Sequence, residues 1–192
     1  MHDLLVRLRL ESSWQDVRSL RFWNGLVLEI IGTMFMFTNT FVTCLTGQSP
    51  LSIGIATGFS VIALIYTFGP ISGCHINPAV SLSFLVTRNI SFVKAILYSL
   101  MQIIGAYLAA VIVFGVLNEK LIKDCAPQLE SGPHGFVTEL LLTYFLLMTV
   151  FMVKDHVKWG PIFKIFGPFA IGLVIVANIT GFVSIFIIII IQ

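Results

Sequence analysis

The sequence predicts an all-α membrane protein, a helical bundle of about five transmembrane spans with one re-entrant half-helix. Three observations predict it. The mean hydropathy is +1.00, and of the 192 residues 57% are hydrophobic and 10% charged, the balance of an integral membrane protein. Apolar runs long enough to span a bilayer recur along the chain, separated by short polar segments. One interruption is of a different kind. The run Gly69-Pro70-Ile71-Ser72-Gly73-Cys74-His75-Ile76-Asn77-Pro78-Ala79-Val80-Ser81 breaks one helix and starts another inside apolar context.

Taken in order, residues 1–21 are polar and basic, with Arg7, Arg9, Arg18 and Arg21 set among Leu4, Leu5, Leu8 and Leu10. They read as a cytoplasmic tail, either an amphipathic surface helix or disordered, and not as a signal peptide. A first span is expected over about 22–45. Gly47, Gln48, Ser49 and Pro50 then make a tight turn before a second span over 51–68. After the interruption, Asn77 is an N-cap and Pro78 a first helical residue, so a helix of roughly two turns can run through Leu85. A third span covers about 92–117, a polar loop 118–134, a fourth span 135–153, a basic loop 154–164 and a last span 165–191.

Lys and Arg are unevenly divided among the connections. The tail, Arg88, Lys94 and the 154–164 segment fall on one side, and Lys120 and Lys123 on the other, which predicts a cytoplasmic N-terminus. An internal repeat is also visible. Glu29, Thr33 and Phe35 match Glu139, Thr143 and Phe145 at a shift of 110, and Ala56, Thr57, Gly58 and Phe59 align with Ala170, Ile171, Gly172 and Leu173 at a shift of 114. Three spans in the first copy would turn the second upside down. The domain reading is therefore a 1–21 tail and a 22–192 transmembrane domain, with a first repeat over about 22–117 and a partial second over about 135–192.

Broken backbone at bilayer depth is tolerated only where protein buries it or where it lines a watery cavity, so the interruption reads as a pore element. Its run Ser72-Gly73-x-His75-x-Asn77-Pro78-Ala79-Val80-Ser81 resembles the first Asn-Pro-Ala box of the aquaporin, or major intrinsic protein, family. The resemblance extends more thinly from about Gly25 to Gly181. It implies an aquaporin-like bundle with an inverted repeat. It also implies a membrane channel for passive transport of water and of small neutral solutes such as glycerol or urea. By that resemblance Asn77 donates to a passing water, while Pro78 and Ala79 start the half-helix and pack at the midplane. The carbonyls of Gly73, Cys74 and His75 form an acceptor ladder, and Glu29 and Glu139 brace the loops that carry the half-helices. Twenty residues before Asn77 stands Thr57, and the fifth-span filter position falls near Ile179. Both stand where narrow water channels carry Phe and His, so a wider and less polar passage is expected. A homo- or hetero-tetramer in the plasma membrane is implied as well.

The repeat carries a further expectation. Adding 114 to Asn77 reaches Ile191, so a second box, its half-helix and a sixth span are expected to be missing from these residues. The run 182–192 matches nothing in the family and reads as an alternative splice end, a retained intron or a truncated gene model, or else as an unusual apolar helix end. The rival to a channel is accordingly a non-conducting isoform that joins full-length relatives and alters their assembly or trafficking.

Other chemistry finds little support. Cys44, Cys74 and Cys125 form no CxxC pair and no metal spacing, and no structural disulfide is expected. His75 lacks partners at ligand spacing. There is no HExxH, no Ser/His/Asp arrangement and no aspartate pair, so neither an enzyme nor a cofactor or metal site is expected. A net charge of +2 does not point to nucleic acid. Asn77 has the plainer reading of a helix cap. Gln102 and Tyr107 read as interhelical hydrogen bonders, and Cys74 as a thiol facing the pore.

Overall fold

The computed structural model describes residues 16–116, 133–156 and 160–181. Among them are six helices: α1 (Leu20–Leu45), α2 (Pro50–Phe68), α3 (Pro78–Val86), α4 (Phe92–Val116), α5 (Pro133–His156) and α6 (Pro161–Gly181). All except α3 are long and apolar enough to cross a membrane. The helix boundaries follow local chemistry. The hydroxyls of Ser19 and Ser49 accept from the first turns of α1 and α2, and Pro50 and Pro78 sit in the first turn of theirs.

One expected element is shorter than the sequence suggests. The sequence predicts a basic loop over 154–164, but α5 runs through His156 and α6 begins at Pro161, placing Lys154 and Lys164 on helix ends. Proline is pre-set for a first turn, and Gly160 before it holds φ at +148°, which glycine adopts without strain. Lysines at such ends can reach the interface while their stems stay apolar. The tail before residue 16, the polar loop and the run beyond Gly181 lie outside the described residues.

Helix packing depends on small residues. α1 lies along α4 and α2, α2 along α6, α5 along α6, and α3 mainly on α4. A Cβ on Gly105 would meet the Ile30 carbonyl oxygen at 2.5 Å, so α4 approaches the α1 backbone directly. The α2–α6 contact is reciprocal. A Cβ on Gly58 would lie 2.6 Å from the Gly172 carbonyl oxygen and 2.6 Å from Val176, and one on Gly172 would lie 2.7 Å from the Gly58 carbonyl oxygen and 2.4 Å from Ile62. Both pairs of positions differ by the 114-residue repeat shift. Each helix thus presents to the other the surface it receives, as a two-fold relation between α2 and α6 would require.

Polar side chains in the spans are satisfied locally. The hydroxyls of Thr33, Thr38, Thr40, Thr57 and Ser60 donate to carbonyls one turn back. Asn178 of α6 donates to the Leu142 carbonyl of α5 at 3.1 Å. Within α6, Pro168 supplies no backbone donor, and the Tyr66 hydroxyl donates to the nearby Ile165 carbonyl. Cys44 is disulfide-bonded, contrary to the expectation of no disulfide, and its partner lies outside the described residues.

The reciprocal contact predicts an inverted glycine rule. Ala normally improves a helix relative to Gly, but Gly58→Ala and Gly172→Ala should each cost about 1–3 kcal/mol through overpacking. Gly115→Ala, with nothing within 4 Å of its Cβ, should be neutral or stabilising. Thermal midpoints of the detergent-solubilised protein check this, and equal midpoints for all three variants would refute the packing.

Candidate functional site: a re-entrant segment over a central cavity

Between α2 and α3 the chain leaves helix and carries no regular secondary structure from Gly73 to Asn77. Gly73, Cys74 and Ile76 hold φ at +94°, +50° and +41°. Gly73 takes that value freely, but for Cys74 and the β-branched Ile76 it is strained and must be held by surroundings.

The hold comes mostly from side chains on neighbouring helices. Glu29 of α1 is fully buried. Its Oε1 accepts from the His75 backbone N–H at 3.0 Å, and its Oε2 accepts from the Ile76 N–H at 2.6 Å and from Gln102 Nε2 of α4 at 2.8 Å. Gln102 also donates to the Ser81 hydroxyl at 3.0 Å, and that hydroxyl lies 3.1 Å from His75 Nδ1. The Cys74 N–H donates to Ser72 Oγ, the Tyr98 hydroxyl donates to the Ser72 carbonyl, and Arg21 donates to the carbonyls of Pro70 and Ile71.

The hydrogen bonds of this segment can therefore be accounted for group by group. Every backbone donor from Ile71 to Ile76 is used inside the protein. The carbonyls of Gly73, Cys74, His75 and Ile76 accept no donor among the described residues. Asn77 caps α3, its Oδ1 accepting from the Ala79 N–H at 2.8 Å, which leaves its Nδ2 amide without a partner among the described residues.

These groups border a cavity of about 100 Å³, room for at least about three waters at roughly 30 Å³ each. Gly73, Cys74, His75 and Asn77 form its polar limb, and Met36, Val61, Leu146, Val150, Ile171 and Ile175 its apolar wall. Pro78 and Ala79 form the first turn of α3 beside it. Thr57 also lines the cavity, but its hydroxyl is taken by the Ile53 carbonyl and by Thr40 Oγ1, 2.8 Å away. Ile179, one turn beyond Ile175 on the same face of α6, is buried in the core cluster and is not among the lining residues. Glu139 lies partly exposed on α5 with no hydrogen-bond partner among the described residues, and the structure does not bring it to the cavity. Tyr107 was expected to bond between helices, yet it is 68% exposed and points away from the bundle. Sequence reasoning missed the positioning roles of Ser72, Ser81 and Tyr98, although both serines stand in the quoted run. No group of His, Cys, Asp and Glu among the described residues could hold a metal.

With this geometry, a family model described as Major intrinsic protein matches residues 16–186. The chain belongs to the major intrinsic protein family. Among relatives, it is 36% identical to glycerol uptake facilitator protein-like 6 of Lactiplantibacillus plantarum over 80% of this chain and 75% of that one. It is 32% identical to aquaporin-B of Dictyostelium discoideum over 67% of this chain and 50% of that one. To mouse aquaporin-4 it is 30% identical over 88% of this chain and 57% of that one. The chain thus spans about half the length of several curated relatives it matches. Like other major intrinsic proteins it is an integral membrane protein.

Glu29→Ala would leave the His75 and Ile76 donors unpaired, at about 1–3 kcal/mol each. Glu29→Gln keeps one acceptor and should lose less. Hydrogen exchange followed by mass spectrometry should show faster exchange at residues 75 and 76 in the order Ala above Gln above parent. Unchanged exchange in Glu29→Ala would contradict the bracing.

Proposed function

We propose that the protein is a channel for passive passage of water, and of small neutral solutes such as glycerol or urea, through the cavity beside the re-entrant segment. The observation that carries this is the asymmetry of the segment. Its backbone donors through Ile76 are used by the protein, whereas four consecutive carbonyls and the Asn77 amide find no partner among the described residues beside a cavity large enough for water. A row of acceptors next to one donor can exchange hydrogen bonds with a file of waters, and the apolar opposite wall offers no competing bonds. The N-terminus of α3 brings its positive dipole end to the same place, which disfavours cations.

In this reading Asn77 is the central donor, Gly73, Cys74 and His75 are the acceptor ladder, and Pro78 and Ala79 fix the half-helix. Of the two expected filter positions, Thr57 borders the cavity, where a threonine leaves more room than an aromatic ring would, and Ile179 packs in the core behind it. Glu29 braces the first half, and Glu139 would brace the corresponding part of the second. The relatives' names support both solutes, since they include aquaporins and a glycerol uptake facilitator. The reciprocal α2–α6 contact supports division into two inverted repeats. We further place the protein in the plasma membrane as a homo- or hetero-tetramer with a cytoplasmic N-terminus, in accord with the distribution of Lys and Arg.

Osmotic swelling of oocytes expressing the chain, with surface delivery measured in parallel, tests the proposal. Swelling several-fold above uninjected controls is expected in both sucrose and glycerol gradients. Cys74 is free and lines the cavity, so a mercurial should block the flux and Cys74→Ser should remove that block. Full surface delivery without swelling would overturn conduction in favour of a non-conducting partner of relatives, and unchanged block in Cys74→Ser would remove Cys74 from the path.

A further inference from the structure

The carbonyls of the broken segment change partners abruptly at one peptide. Those of Phe68 and Gly69 accept backbone donors from the following turn. Arg21 of α1 takes the next two, its Nη2 2.7 Å from the Pro70 oxygen and its Nε 3.4 Å from that of Ile71. The Ser72 oxygen accepts from the Tyr98 hydroxyl of α4 at 2.9 Å. From Gly73 through Ile76 no carbonyl meets a donor among the described residues, and it is at Gly73 that the segment begins to line the cavity. The Tyr98 hydroxyl reaches its carbonyl past a gap in α1. A Cβ on Gly25 would lie 2.5 Å from that hydroxyl oxygen and 3.6 Å from the Ser72 Cα, so only a residue without a side chain keeps the gap open. The ring itself is fully buried in a cluster with Phe22 and Leu26. It meets the His75 ring edge-on at 5.4 Å, and the Lys94 ammonium stands 5.0 Å over its face. His75 in turn lies 4.5 Å from Phe84, which lines the cavity.

We propose that Tyr98, seated in the socket left by Gly25, is a positioning residue that sets where the row of acceptors beside the cavity begins. The inference rests on the channel reading and names the pair that fixes the first carbonyl of its acceptor row. A Ser72 carbonyl held toward α4 cannot turn to the cavity. The same peptide is held at its other end, where the Gly73 N–H donates to the Gly69 carbonyl at 3.1 Å. With that plane fixed, Gly73 at φ +94° redirects the chain, a turn that glycine makes without strain. Glu29 holds the later donors of His75 and Ile76, so Tyr98 fixes the start of the turned stretch and Glu29 its end. The phenol has a single proton, and Ser72 receives it. Removing the hydroxyl therefore releases the carbonyl just before the row. A methyl group added at Gly25 would displace the hydroxyl and reach the same state by another route.

Two routes to one state make a double-mutant test. The full chain would be reconstituted in proteoliposomes, with water permeability read by stopped-flow light scattering and backbone hydrogen exchange by mass spectrometry. Tyr98→Phe and Gly25→Ala should each speed exchange at residues 73 and 74 about fivefold, the factor that one ordinary hydrogen bond is worth. Each should also lower water permeability severalfold. Residues 75 and 76, held by Glu29, should keep the parent rate, which separates a local turn of one peptide from general loosening. The double variant should match Tyr98→Phe alone, because the added methyl no longer meets an oxygen. If Gly25→Ala by itself does not fold, recovery of folded protein in the double variant supports the socket, and Tyr98→Phe, which keeps the ring, still reads the positioning. Losses that add in the double variant would overturn the socket. Unchanged exchange at residues 73 and 74 in Tyr98→Phe would overturn the positioning. A parent chain that passes no water while exchange responds as stated would strike the channel reading and leave the role of the pair in the segment standing.

Discussion

The structure depends on one carboxyl side chain placed where a membrane protein can least tolerate an unpaired one. Glu29 is fully buried within a membrane-spanning helix, a position at which an ionisable group is costly unless its lone pairs are met. They are met by two consecutive backbone donors of the re-entrant segment and by Gln102. The same bonds fix His75 and Ile76 in a non-helical path with Ile76 at positive φ. Without them that stretch would present buried, unpaired N–H groups and a strained β-branched residue together. The requirement of the carboxylate and the requirement of the broken backbone are thus satisfied by one arrangement.

A consequence is polarity of a useful kind. Because the donors turn inward to Glu29 and Ser72, the acceptors and the Asn77 amide are what remain for the cavity. The opposite wall follows from the second organising contact, the glycine-to-glycine approach of α2 and α6. Gly58 and Gly172 bring the two helices close, and their neighbours Val61, Ile171 and Ile175 become a smooth apolar surface facing the polar limb. One side of the cavity can hydrogen-bond and the other cannot, and in the proposed function that contrast would keep a passing molecule oriented without trapping it.

Much of this was legible in the sequence, for identifiable reasons. Helix starts were readable where proline or a hydroxyl cap stood, as at Ser49-Pro50 and Asn77-Pro78, and the 114-residue shift located the glycines that prove to be in contact. The connection expected over 154–164 is shorter in the structure because Lys154 and Lys164 stand on helix ends, where lysines are tolerated at a membrane boundary as well as in loops. The partners of Glu29 were not legible, since pairing across 46 and 47 positions of chain depends on how α1 meets the segment. Thr57 and Ile179 show the limit of counting along a helix. Both were placed by register alone, but cavity lining depends on azimuth, and only Thr57 borders the cavity. Tyr107 illustrates the same point, because a tyrosine on an apolar helix carries no mark of which face it occupies.

The central claim is that the carbonyls of residues 73–76 and the Asn77 amide, which find no partner among the described residues, pair with water. The most direct measurement is an experimental density map of the protein in a lipid nanodisc, at a resolution that places ordered water. The account predicts a chain of water peaks within hydrogen-bond distance of those carbonyls and of Asn77 Nδ2, continuing along the apolar wall toward Phe84. A dry cavity, or one in which those carbonyls turn to bond protein donors, would contradict it.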